Sequence, residues 1–489
     1  MLSFLFVLIF SASFVAPDNL SCPSNPIAYS KPADTNTIFH YPNTSNQIFN
    51  HGNTCEFNFN VPYGYAISLT FSTNGSATVI DSNKISKIYE SNDNNLVFLL
   101  SPGGSLQFNT IGEISYFNMT FQYFTIYPEY QFNINISASS RDPFSSNSIF
   151  EYPTVITSDT RISLITIPTI DAPLPDLSEY VQQLKATVIF DGPNINSSYI
   201  GSLYDQYFSE NQLVSTGKSL TIVTIGNPNP NLRDIATIVL QDYSLTSKYN
   251  PYFGVALKNN HDIRNVQINL GTNNQAAAFL TIMGTRMAEY LMSTDLNQGK
   301  IDVYIGSTFD ENLIASYDKD NVKNSLPQEI LGIHRTYVIS GNSEGHVSLN
   351  LTRSSEASGF SNAFIGRKGF LASRYYKSPQ VLSIDESADY LNSNLSLNFN
   401  LDIKHVDLTG NSSLYVNAAF FNKDTANLCF NRTNLAPANL IVPGSKLQVY
   451  YVTDLNTTGF YLDYQITDNK SVGLPAIFTI FIVILNIMN

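Results

Sequence analysis

Cys55-Glu56-Phe57-Asn58-Phe59-Asn60-Val61-Pro62-Tyr63-Gly64-Tyr65 decides the reading of this chain. A cysteine opens the stretch, and apolar residues follow at every second position: Phe57, Phe59 and Val61. A period of two puts them on one face of a sheet and Glu56, Asn58 and Asn60 on the other. Pro62 lacks the N–H that a ladder needs and Gly64 frees φ, so the strand ends there. The alternation recurs in Phe117-Asn118-Met119-Thr120-Phe121-Gln122-Tyr123. Asn74-Gly75 and Gly103-Gly104 are turn signals between such runs. No helical period is visible from Cys22 to Thr125, which predicts an antiparallel sandwich of about 100 residues.

The chain has 489 residues, which predicts about three to four domains. Charged residues make up only 13 %, against 29 Tyr and 32 Phe. Such a composition fills β-type cores and leaves few ions to solvate the surface; sugar supplies that solvation. Asn-x-Ser/Thr sequons stand at Asn43, Asn74, Asn118, Asn135, Asn196, Asn350, Asn394, Asn411, Asn431 and Asn456, and also at Asn19 and Asn469. The net charge of −13 excludes a basic nucleic-acid face and electrostatic docking on anionic lipid.

The opening stretch resembles the second-cysteine signature of the CUB-like domain family that is abundant in nematodes: a Cys, an aromatic two residues on, then Val-Pro-x-Gly. Phe57 stands where that family usually has Trp. Of the three cysteines, Cys22 and Cys55 flank one domain, and the resemblance implies that they pair. Closing that loop contributes roughly 3–4 kcal/mol on the chain-entropy account. Cys429 is read as a buried thiol, with an intermolecular bridge as the alternative.

A second stretch is similar to the ordinary CUB pattern. Val188-Ile189-Phe190-Asp191-Gly192-Pro193 is followed by Ser198-Tyr199-Ile200-Gly201 and by Ser215 through Ile222, with Tyr204 where a third cysteine would stand. A glycine-led element entering a strand recurs at Gly104-Ser105-Leu106, Gly217-Lys218-Ser219-Leu220, Gly332-Ile333-His334-Arg335 and Gly444-Ser445-Lys446-Leu447, at intervals of 113, 115 and 112 residues, with the Gly332 copy departing most from the others. Each copy has a strand before it that ends in a turn. A period of this size is one small sandwich per repeat. The expected fold is therefore all-β, with tandem CUB-like jelly-roll β-sandwiches at 17–125, 126–245, 246–353 and 354–470. Ala276–Met292 strains this reading: Ala276–Ile282 is expected as strand and Thr285–Met292 as a short helix.

Residues 1–16 read as a secretory signal peptide. Residues 471–489 form a hydrophobic tail, expected to be a GPI-attachment signal with Asp468, Asn469 or Ser471 as the lipid-bearing residue. A short tail anchor and a buried last strand are the competing readings.

No catalytic residue and no cofactor is called. His40, His51, His261, His334, His346 and His405 lack metal-ligand spacing, and His334 and His346 are read as surface residues. Some CUB domains bind Ca²⁺ through a Glu and two Asp residues. Asp191 and Asp454 match two of those positions, but in different repeats, so they are read as turn residues bonding their own backbone. The resemblance implies a non-enzymatic extracellular recognition or adhesion protein, often tied to defence against microbes. It would be held on the outer leaflet and would bind protein or glycan through loops at the sandwich ends. A structural coat component is the alternative.

Overall fold

The structure is a computed structural model. It describes residues 19–469 apart from 44–47, 50–51, 91–93, 111–114, 170–177, 227–228, 230–234, 258–261, 271–274, 283–287, 297–298, 342–345, 374–375, 377–385, 421–422 and 455. The expected signal peptide, the hydrophobic tail, Ser471, His51 and His261 lie outside the described residues. Among the described residues, no helix is long and apolar enough to cross a membrane.

The chain is all-β, and the deciding stretch is the strand Thr54–Asn60, with Cys55, Phe57 and Phe59 buried. Phe57 packs edge-on against Tyr41 (4.8 Å) and stacks on Phe117 (5.6 Å), filling the place a larger indole would take. Gly64 adopts φ +78° and Tyr65 N–H donates to the Pro62 carbonyl, which turns the chain into the opposite sheet. Cys22 and Cys55 form a disulfide.

One strand order is used three times. In the first unit one sheet runs Ile27–Ser30, Thr54–Asn60, Gly103–Asn109, Ser76–Ile80, Ser86–Tyr89. In the second it runs Phe132–Asn135, Thr154–Thr157, Ser219–Thr224, Thr187–Asp191, Ser198–Ser202. In the third it runs Tyr249–Gly254, Ala276–Ile282, His334–Ser340, Lys300–Ile305, Leu313–Tyr317. The first pair in each is parallel and the rest are antiparallel. The facing sheets centre on Ser115–Thr125, Ala236–Asp242 and His346–Thr352. Gly104, Gly217 and Gly332 each lie in or just before the central strand of the first sheet.

The fourth unit departs from two separate sheets. It is one continuous six-stranded sheet in the order Lys368–Ala372, Phe460–Asp468, Glu386–Val406, Asn439–Val452, Ser413–Phe420, Lys423–Phe430. The 21-residue strand Glu386–Val406 pairs with Asn439–Val452 along both halves, and its C-terminal half also pairs with Phe460–Asp468. It thus serves as the two strands that Pro62 and Gly64 separate in the first unit. Residues 392–397 contain neither Pro nor Gly, so the chain stays extended and the corner is made by a register shift between Asn392 and Leu397.

One further expectation is corrected. Glu289–Asp295 is a strand, not a helix; residues 285–287 of the expected helix lie outside the described residues. Its Met and Leu spacing fits a helix as well as an edge, and sheet pairing with His346–Thr352 decided it. Short helices do occur in the second unit. Glu179–Ala186 is capped by Ser178, and Leu203–Tyr207 by a Ser202–Asp205 capping box.

Candidate functional site

Two clefts open where consecutive units meet, one between the first and second units and one between the third and fourth. Between the first and second, Ala66, Leu100 and Ile126 pack against Val188, Phe190 and Val223. A cleft of about 310 Å³ opens beside them, next to Tyr89, Tyr199 and Asp205. Its polar groups are occupied. Asp205 accepts from the Ser202 N–H (2.8 Å) and hydroxyl (2.7 Å), and Lys185 Nζ donates to the Leu96 carbonyl (3.2 Å).

Between the second and third units, Ile165, Ile167 and Val239 meet Tyr252, Ala278 and Val338. Ser307 N–H donates to the Arg141 carbonyl (2.7 Å), and Arg141 pairs with Glu311 (2.8 Å). His334 belongs to this junction and is not a surface residue. It is 8 % exposed, with Nε2 at 3.0 Å from Ser145 Oγ. Burial, and then Arg335, lower its pKa to about 4, so it is neutral near pH 7. The sequence misplaced it because alternation marks a strand's two faces but not whether a neighbouring domain covers the second. His346 is exposed, as read.

A cleft of about 600 Å³ lies between the third and fourth units. Its size falls within the roughly 300–1,000 Å³ of small-ligand sites. Phe370 and Ala372 pack into the core of the third unit, and Gln328 clamps the strand by donating to the Phe370 carbonyl (2.8 Å) and accepting from its N–H (3.2 Å). Tyr461 stacks on Phe370 (5.3 Å) and on Tyr376 (5.1 Å), and its hydroxyl donates to the Ile314 carbonyl (2.9 Å). Beyond this closed end the face opens. Its floor is set by register: Lys368, Gln465, Asn400 and Ile441 lie side by side across four strands, and Phe370, Asp463, Asp402 and Asn439 form the next row. The facing wall is Ile314–Tyr317 of the third unit.

Burial pushes the Asp463 carboxyl above its ordinary value, and Asp402 pushes the same way, against the nearby Tyr461 hydroxyl and the charge of Lys404. Lys404 Nζ sits on Asp402. The cleft therefore offers carboxylate and amide oxygens, amide and ammonium donors, and an apolar edge at Tyr461. It can bind a ligand by hydrogen bonds and apolar contact. Asp402, Asp463, Lys368 and Gln465 were not singled out from the sequence. The polar alternation in Asn398–Lys404 was the available signal, but an ordinary solvated face gives the same one.

The third unit also buries Glu289 and Arg335, both 0 % exposed, with Nη1–Oε2 at 3.5 Å. Thr281 donates to Glu289 (2.7 Å), as does Tyr337. The group is sealed in the sandwich core, which makes it a packing element and not a substrate site.

The residues called from sequence are spread over all four units. Asp191 accepts from Thr216 N–H (3.0 Å) and Asp454 from Asn411 N–H (2.8 Å), so each pins a neighbouring loop. Among the described residues, no three His, Cys, Asp or Glu side chains converge to hold a metal. Cys429 is a free, half-buried thiol. Asn43, Asn74, Asn118, Asn135, Asn196, Asn394, Asn411 and Asn456 are exposed, while Asn350 and Asn431 are half-buried. Asp468 ends the last strand, and Asn469 donates to Ser396 Oγ (2.8 Å).

Residues 17–127 match the CUB-like domain family. The first unit is a CUB-like domain. Residues 135–225 match a domain of unknown function, DUF7592, and residues 245–354 another, DUF7591. No curated protein matches. Among solved structures, the CUB1-EGF-CUB2 domain of human MASP-1/3 is similar at 10 % identity and TM-score 0.17, covering 42 % of this chain and 99 % of that one. The full extracellular region of zebrafish Gpr126/Adgrg6 is similar at 10 % identity and TM-score 0.17, covering 92 % of this chain and 53 % of that one. CUB-like domains are typically extracellular, and the first unit fits an extracellular ligand-binding role.

Proposed function

We propose that this chain is a non-enzymatic extracellular glycoprotein that binds a protein or glycan ligand at a cell surface, where it serves in defence against microbes. Its four units are taken as 17–125, 126–245, 246–353 and 354–470. The cleft between the third and fourth units is the proposed binding site, and that cleft is the observation that carries the reading. It is concave, built on paired strands, and lined by apolar and hydrogen-bonding side chains. The CUB-like first domain supports an extracellular setting.

The outer-leaflet tether rests on residues 471–489, with Asp468, Asn469 or Ser471 bearing the lipid. A coat component without a specific ligand is the second reading, favoured by the many exposed sequons. Two measurements test the proposal. Phosphatidylinositol-specific phospholipase C releases the intact protein from cells if the tether is a GPI lipid. The released protein gives saturable capture of a partner that Asp463→Ala weakens; a coat component gives no saturation.

A further inference from the structure

We infer that the ligand of the cleft between the third and fourth units is a neutral oligosaccharide held by the side-chain rows Lys368–Gln465–Asn400 and Asp463–Asp402–Asn439. This rests on the ligand-binding reading above and gives that ligand a chemistry.

Three observations carry it. First, the floor mixes roles at neighbouring cross-strand positions: Lys368 donates, Asp402 and Asp463 accept, and Gln465 does both. A sugar hydroxyl donates and accepts at one atom, so it satisfies such a mixture. A cationic ligand only donates and would face Lys368; an anionic one would face two carboxylates. Second, the charges balance within the site. Lys404 sits on Asp402, and Lys368 lies two rungs from Asp463. A neutral polyhydroxyl ligand leaves no charge uncompensated. Third, the closed end is a fixed aromatic step. Tyr461 is stacked between Phe370 and Tyr376 and anchored by its hydroxyl. That pre-organises an apolar edge against which the C–H face of a pyranose ring packs.

The test is calorimetric titration of the full chain with maltotriose, cellotriose, mannotriose and chitotriose, with pentalysine as the cationic probe. The expected result is saturable binding of at least one trisaccharide. Asp463→Ala and Gln465→Ala each weaken it tenfold or more, while Lys446→Ala leaves it unchanged. All three variants keep the wild-type melting profile. Binding of pentalysine alone, or trisaccharide binding unaffected by Asp463→Ala, overturns the inference. Absence of any trisaccharide binding also overturns it. A protein partner whose capture still depends on Asp463 would in that case leave the wider ligand-binding reading standing.

Discussion

Asp242 is the most heavily engaged carboxylate among the described residues, and its removal tests how the second unit is held. It ends the strand Ala236–Asp242 and caps the short helix Tyr243–Thr246. Five donors converge on it: Ser158 Oγ (2.5 Å), Thr160 N–H (2.8 Å), Thr160 Oγ1 (2.6 Å), Ser244 N–H (2.9 Å) and Ser244 Oγ (2.6 Å). The side chain thereby ties the loop after Thr154–Thr157 to the turn after Asp242, and it is 1 % exposed. Asp242→Ala strands two backbone donors, each worth roughly 1–3 kcal/mol when buried. One of the two, Ser244 N–H, is the helix-cap donor itself, so the cap is already counted. The expected loss is about 4 kcal/mol from the stability of the second unit.

Several units need not unfold in one step, so a global midpoint is the wrong assay. Native-state hydrogen exchange read on peptides covering 154–168 and 236–247 localises the effect. The pH dependence has a definite sign. Burial alone would raise the Asp242 carboxyl, but the hydrogen bonds from Ser158, Ser244 and Thr160 overcome it and hold the group well below the ordinary carboxylate range. A depressed folded pKa gives stability that is present above the unfolded value of about 3.9 and lost as pH falls through and below it. Asp242→Asn, which carries no charge, should therefore show its largest deficit near pH 7 and a shrinking one below about pH 4. A loss under about 1 kcal/mol for Asp242→Ala, or an Asn deficit constant from neutral to acid pH, would refute the reasoning.

Other perturbations follow from the same contacts. Cys22→Ser opens a loop of 33 residues and should cost the first unit about 3–4 kcal/mol, read as a lowered melting transition of that unit alone; an unchanged transition would count against it. At Gly254 an added Cβ would lie 2.3 Å from the Thr166 carbonyl and 2.5 Å from Ile167 Cγ1, so Gly254→Val should prise the third unit from the second. The expected cost is about 1–3 kcal/mol, with new limited-proteolysis cuts near residue 246; a wild-type cleavage pattern would dismiss it. Glycopeptide mass spectrometry should find sugar at exposed sequons such as Asn74, Asn196 and Asn411. It should find none at Asn350, half-buried on the outer sheet face, whose Nδ2 donates to Ser293 Oγ (2.9 Å) and whose Oδ1 accepts from Asn265 Nδ2 (2.8 Å).

The strands were legible because each carries its own record. Phe57, Phe59 and Val61 alternate with polar residues, and Pro62 with Gly64 stops the ladder, so neither the strand nor its end depends on a distant partner. The recurring glycines at Gly104, Gly217 and Gly332 were readable for the same reason, since each marks the local entry into a central strand. The fourth unit was harder. Gly444 keeps the spacing, but fusion of two strands through residues 392–397 follows from how the sheet bends, and no residue type announces it.

By itself, then, the amino-acid order determined the period-two faces and the turns, which are properties of segments shorter than a dozen residues; the sandwich-sized repeat showed only as the recurrence of such segments along the chain. Tertiary structure alone decided that His334 is buried against Ser145 and that Glu289 and Arg335 share a sealed core. It also decided that Ile314–Tyr317 faces Asp402 and Asp463 across an open cleft. A strand's two faces look alike in sequence when both are polar. Which one meets water and which one meets a neighbouring domain is set by docking between units, through contacts made by residues far apart in the chain.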